Sequence, residues 1–285
     1  MCDKCKADSY YLEESNNLGC TKCFCFGTTD RCTSIQNTAT QVHSTNKDWD
    51  LYNVTVYEKM IDVSLLRKND DYGIDYTDEG KIVVTTNVLS EVTRKEQEFA
   101  SGVYIALPNE FLGKKITSYG GKFQYKIINK INSKENYVSV DSPEIILIGS
   151  NISIVHHHDE QPLINEDFTL SIRMLEKEFK HLDGRVVTRE QMMMTLVQLE
   201  TMYLRIKYFD PIHEIVLQDV LMDVTSNRSR HQISDTRKAL SVELCNCPPN
   251  YKGTSCEVCN NYEKCPKFEL FFIIIHIYKQ QLNFD

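Results

Sequence analysis

Cysteine placement constrains this chain more than any other feature. Eleven cysteines occur in 285 residues. Cys2, Cys5, Cys20, Cys23, Cys25 and Cys32 crowd the start, and Cys245, Cys247, Cys256, Cys259 and Cys265 crowd the end. Residues 33–244 hold none. A cysteine-free domain therefore lies between two cysteine-dense ends. That pattern excludes a uniformly cross-linked miniprotein and is foreign to a cytosolic enzyme with scattered thiols. The length suffices for one large domain or two smaller ones with a buried core.

The formal charge of −8 argues against broad binding to phosphate backbones, so no nucleic-acid partner is expected. No apolar run reaches the ~18 residues of a membrane span, so no membrane insertion is expected. With 41% hydrophobic and 25% charged residues, the composition is that of a globular chain.

Two readings compete for the cysteine ends. Cys2/Cys5 and Cys20/Cys23 are two CxxC pairs, and such turns aim two thiolates at one zinc ion. That would make an intracellular zinc-binding protein. Against it, Cys25 and Cys32 follow at once with no role in a four-ligand site. The C-terminal set also has a different layout. Three N-x-S/T tripeptides, at Asn53, Asn151 and Asn227, add modest support for extracellular disulfides. The segments between the cysteines carry Pro, Asn and Gly at turn positions, with Tyr10, Tyr11 and Tyr251 available to cover sulfurs.

Between the ends, residues 33–48 are rich in Thr, Ser and Asn and read as a linker. Beyond Trp49 the period is mostly two. Phe123, Tyr125 and Ile127 alternate with polar residues. So do Phe168, Leu170, Ile172 and Met174, and Met202, Leu204, Ile206 and Tyr208. These predict half-buried strands with one wet face. Residues 81–86, 103–107 and 145–148 predict more fully buried strands. One helix is predicted from the capping box of Thr188 and Gln191, with Met192, Met193, Leu196, Val197 and Leu199 at helical spacing. Many strands, one short helix and no strand–helix alternation give an all-β, jelly-roll-like β-sandwich.

Several stretches then resemble one family. Gly19 to Gly27 followed by Cys32, and Val242 to Cys259, resemble laminin-type EGF-like modules. Ser101 to Gly121 and Asp183 to Met192 are very like the signature segments of laminin IV type A domains, nearer to the perlecan-type than to the laminin-alpha-type copies. Ile105 departs from the aromatic common there. The resemblance implies an EGF-like module split by an inserted domain. Residues 1–22 would end one module, 23–32 open the next, 49–244 form the laminin IV type A domain, 245–265 close the split module, and 266–285 stay unassigned. It also implies the bridges Cys5–Cys20, Cys23–Cys32, Cys25–Cys245, Cys247–Cys256 and Cys259–Cys265, with Cys2 paired upstream of this chain.

The local candidates for chemistry have simpler readings. His156, His157 and His158 precede Asp159 and Glu160, and His156 and His158 could share an ion on one strand face. A hydrated loop after a strand ending at Val155 explains them as well. Ser101-Gly102 could carry a glycosaminoglycan but lacks an acidic cluster. Arg228, Arg230, His231, Arg237 and Lys238 read as a solvated loop. No nucleophile elbow, zinc-protease helix or phosphate loop occurs. The expectation is a secreted, non-enzymatic basement-membrane module without catalytic residue, metal or cofactor. It would be a fragment of a perlecan-like or laminin-like protein, with its signal peptide outside the chain. Other basement-membrane proteins, with matrix glycans as a further class, are the expected partners. A carbohydrate-binding β-sandwich is the alternative within binding proteins.

Overall fold

The computed structural model describes residues 4–12, 19–44, 49–66, 72–86, 100–131, 136–226 and 238–260. The chain forms two compact units. The larger holds residues 42–114 and 122–222, and the smaller holds 1–41, 115–121 and 223–285.

The larger unit is the sandwich. In chain order its strands are β1 (Asp50–Val56), β2 (Ile61–Leu66), β3 (Tyr72–Tyr76), β4 (Ile82–Thr86), β5 (Ala100–Ala106) and β6 (Lys122–Lys130). These are followed by β7 (Ile145–Gly149), β8 (Ile152–His156), β9 (Phe168–Arg173) and β10 (Lys180–His181). The helix α1 (Arg189–Val197), β11 (Leu199–Arg205) and β12 (Glu214–Ser226) complete the series. One sheet runs β9-β6-β12-β4-β3 and the other β10-β8-β7-β11-β5-β1-β2. The strand pairings described in both are antiparallel. The architecture is the all-β sandwich with one short helix that strand periodicity predicts.

Alternation sets the inner faces. On β6, Phe123, Tyr125, Ile127 and Asn129 are buried, while Lys122 and Lys130 are exposed. Leu170 and Ile172 do the same on β9. From the other sheet, Leu51, Val103, Ile105, Leu147, Ile154 and Leu204 are buried. Ile105 is fully buried and pairs with Leu204 and Leu51, so an aliphatic side chain serves where an aromatic is common.

Four expectations are corrected. The Met202–Tyr208 stretch has no wet face, because Tyr203, Arg205 and Lys207 at the alternate positions are buried too. By contrast β4 is half-buried, with Ile82 and Val84 inside and Thr85 exposed. The helix stops at Val197, two residues before Leu199, which instead opens β11. The predicted capping box forms: Thr188 Oγ1 accepts the Gln191 N–H, and Gln191 Oε1 accepts the Thr188 N–H. Met192, Met193 and Leu196 are buried. Residues 33–48 also contain more structure than a linker, with strands Cys32–Ser34 and Thr38–Val42.

The smaller unit is loop-rich. Its hairpin pairs Ser9–Leu12 with Cys20–Lys22, and two further short pairs join Cys32–Ser34 to Glu243–Cys245 and Tyr251–Lys252 to Val258–Cys259. One core cluster is sulfur and tyrosine, with Tyr10, Cys25, Cys32, Cys245 and Cys256 buried together and Tyr11 and Tyr251 packed against them, and a second, small one joins Ile35, Ala239 and Val242. So little apolar surface cannot hold a fold alone, and covalent bridges supply the rest.

Candidate functional site

The place where two distant parts of the chain are locked together is the centre of the smaller unit. Cys25 is bonded to Cys245 across 220 residues of sequence. Cys23–Cys32 and Cys247–Cys256 each close loops of sequence separation 9 on either side of it, and Cys5–Cys20 staples the first hairpin. Cys259 is disulfide-bonded as well, whereas Cys2 and Cys265 lie outside the described residues. With Cys5, Cys20 and Cys23 in disulfides, the CxxC pairs do not form a four-thiolate zinc site.

Non-covalent contacts reinforce the lock. Cys32 pairs with Cys245, Thr33 with Leu244 and Ser34 with Glu243 in one antiparallel ladder. The buried Glu243 carboxylate accepts the backbone N–H of Phe24 at 2.8 Å and of Cys25 at 3.1 Å. Those groups need a partner because Cys25 and Phe26 sit at positive φ and make no regular ladder. The Tyr10 hydroxyl donates to the Ser241 carbonyl at 3.1 Å. Cys25, Glu243 and Cys245 bring their ligand-type atoms within 4.8 Å of one another. The two sulfurs are bonded to each other and the carboxylate is engaged by N–H groups, so this cluster is structural. Gly253 has φ +106°, a backbone conformation that favours glycine over residues with a Cβ.

The sandwich carries its own polar lock. Arg205 and Glu144 form an ion pair with both side chains inaccessible. Arg205 also donates to the Val140 carbonyl at 2.9 Å and lies 4.1 Å from the centre of the Tyr208 ring. The second Glu144 oxygen accepts the His158 N–H at 2.7 Å. Asn129 spans the two sheets, donating to the Ile206 carbonyl at 3.0 Å and accepting the Tyr208 N–H at 2.8 Å. The Tyr125 and Tyr208 hydroxyls meet at 3.1 Å. Burial pushes the Tyr104, Tyr125 and Tyr208 hydroxyls above their ordinary range. Burial lowers Lys207, and the Asp210 carboxylate at 2.7 Å opposes that shift.

The histidine run is not a hydrated loop throughout. β8 extends through His156, which is buried, with its Nδ1 2.6 Å from the Glu178 carbonyl. His157 is exposed. Ser101 is engaged with Asn53 and Thr55, and Gly102 abuts Ser142. Of the glycosylation tripeptides, Asn53 lies within β1, Asn151 lies at the β7–β8 turn, and Asn227 falls outside the described residues. So do Arg228, Arg230, His231, Arg237 and residues 266–285. Sequence reading passed over Glu243, Glu144 and Arg205. The signal for Arg205 was its place among four alternating apolar residues, where a wet face was assumed.

An all-β sandwich in a chain whose two ends share a disulfide-stapled unit is the class defined here. Residues 104–243 match the family model Laminin B (Domain IV). The chain is 29% identical over 260 residues to the Basement membrane proteoglycan of Caenorhabditis elegans, covering 90% of this chain and 7% of that protein. It is 26% identical over 267 residues to the Basement membrane-specific heparan sulfate proteoglycan core protein of Mus musculus, covering 93% and 7%. It is 30% identical over 261 residues to the Laminin subunit alpha of Drosophila melanogaster, covering 87% and 6%. The chain thus spans less than a tenth of the length of these relatives. Among solved structures, the L4b domain of human laminin alpha-2 shares the fold with a TM-score of 0.51 at 24% identity, covering 66% of this chain and 98% of that one.

Proposed function

We propose that this chain is a non-enzymatic structural and interaction module of the extracellular matrix, part of a secreted perlecan-like or laminin-like basement-membrane protein. The observation that carries this reading is the Cys25–Cys245 bridge, which joins the two cysteine-dense ends across 220 residues of sequence and supports a split EGF-like module. Such a bridge forms and persists in oxidising compartments. Its polar groups serve the interior: Glu243 holds backbone N–H groups, and Glu144, Arg205 and Asn129 hold the sandwich together. A module of this kind sets spacing within a longer protein and presents surfaces to other basement-membrane proteins, with matrix glycans as a further partner class.

The test is expression of the chain behind an added secretion leader in matrix-depositing cells. The oxidised protein should be recovered from the deposited matrix, and a Cys25→Ser/Cys245→Ser variant should be retained inside the cell. Recovery of the wild type from the medium alone contradicts the reading.

A further inference from the structure

Asn53 and Asn151 head matching N-x-S/T tripeptides, yet the fold treats them differently. Asn151 is exposed, in the two-residue turn between β7 and β8, where Gly149 pairs with Ile152. Ser150 and Asn151 have φ of 50° and 60°, the left-handed pair that suits a tight hairpin. The turn is held firmly. Ser150 Oγ donates to the Met194 carbonyl of α1 at 2.9 Å, and a Cβ on Gly149 would collide with the carbonyls of Thr195 and Gln198. The amide of Asn151 thus stands on a rigid mount.

Asn53 sits in the middle of β1, with β5 on one side and β2 on the other. Its cross-strand partner on β5 is Val103, which is 1% exposed. Alternation puts Asn53 on the same face of the strand as Leu51, which is also 1% exposed; Asn53 itself is half-buried, with exposed Ser64 opposite it on β2. Its Oδ1 accepts from Ser101 Oγ at 3.3 Å, and Ser101 Oγ accepts from Thr55 Oγ1 at 3.2 Å. The hydroxyl that completes the tripeptide is therefore itself tied into the sheet.

We propose that Asn151 is the N-glycan attachment site of the sandwich and that secreted molecules carry none at Asn53. The modification is a group transfer from a lipid-diphosphate-linked oligosaccharide. The Asn151 Nδ2 forms a bond to C1 of the reducing-end N-acetylglucosamine as the C1–O bond to the diphosphate breaks. The lipid diphosphate leaves with that electron pair, and Nδ2 gives up one proton to solvent. Transfer precedes folding, so the fold acts as a filter. A sugar on Asn151 leaves the turn and its helix contacts intact. One on Asn53 must be placed beside Leu51 and Val103, and such chains fail to close the sandwich. The Asn151 glycan then keeps protein partners away from the turn at α1.

This inference rests on passage through the secretory pathway, which an added leader supplies. The full chain is collected from the medium, and occupancy is mapped by enzymatic deglycosylation in heavy-oxygen water followed by peptide mass spectrometry. The expected result is label on Asn151 and none on Asn53. A Ser153→Ala variant, which keeps Asn151 in its left-handed turn, should lose one glycan-sized step in electrophoretic mobility while still being secreted. Label on Asn53, or an unmodified Asn151, overturns the proposal. The matrix reading survives that outcome if the secreted protein retains its disulfides.

Discussion

Glu243 reaches across the sequence to the backbone N–H of Cys25 at 3.1 Å, two residues before its own strand delivers Cys245 to the Cys25 sulfur. One short segment therefore supplies both the covalent and the polar half of the same junction. Glu243→Ala leaves the Phe24 and Cys25 N–H groups buried without that acceptor and should cost about 2–4 kcal/mol. Glu243→Gln keeps one carbonyl oxygen and should cost about 1–2 kcal/mol. Urea midpoints of the oxidised proteins measure both; equal losses would show that the carboxylate geometry does not matter.

The bridge itself carries a larger effect. Removing Cys25–Cys245 by double serine substitution opens a loop of sequence separation 220, which the loop-entropy account values at up to about 5 kcal/mol. Removing Cys23–Cys32, of separation 9, should cost about 3 kcal/mol by the same account. Thermal unfolding should rank the two variants in that order, and the reverse ranking would mean that strain rather than chain entropy governs the junction.

In the sandwich, Glu144→Gln leaves the Arg205 guanidinium buried without its ionic partner. A loss of about 3–5 kcal/mol is expected, as for other broken buried pairs. Replacing both, as Glu144→Gln/Arg205→Met, removes the unpaired charge and should recover part of that loss. A double-mutant cycle from denaturant unfolding reads the coupling. Additive losses would show that the pair is not energetically linked.

Alkaline pH offers an independent probe. Tyr104, Tyr125 and Tyr208 are raised above their ordinary value of 10.0 chiefly by burial, against a smaller opposing influence of Arg205. A group raised in the folded state contributes its full stability below the unfolded value and loses it as pH rises through the folded value. Stability should therefore be insensitive to these groups below pH ~10 and fall above it. A fraction of the tyrosinate absorbance should appear only with unfolding. Complete tyrosine ionisation of a still-folded protein would contradict the burial.

Much of this was legible in the sequence because it follows local periodicity or turn chemistry. Period-two runs such as Phe123, Tyr125 and Ile127 marked real strands. Thr188 and Gln191 marked the helix start, since a capping box is satisfied within four residues. What stayed hidden depends on distant partners. Arg205 looked like the wet face of a strand until Glu144, 61 residues away, gave it a buried counter-charge. Glu243 looked like one acidic residue among many, because its partners lie 218 and 219 residues away. His156 read as a loop because three polar residues in a row rarely continue a strand. The Glu178 carbonyl gives its Nδ1 a partner at 2.6 Å inside the fold.

The most direct test of the central claim is disulfide mapping of the secreted chain, by proteolysis without reduction and mass spectrometry of the linked peptides. A peptide from the first 32 residues joined through Cys25 to one containing Cys245 is the predicted product, with Cys23–Cys32 and Cys247–Cys256 beside it. Recovery of Cys25 in another linkage, or free thiols at Cys25 and Cys245 in the folded protein, would contradict the account of a split module closed around the sandwich.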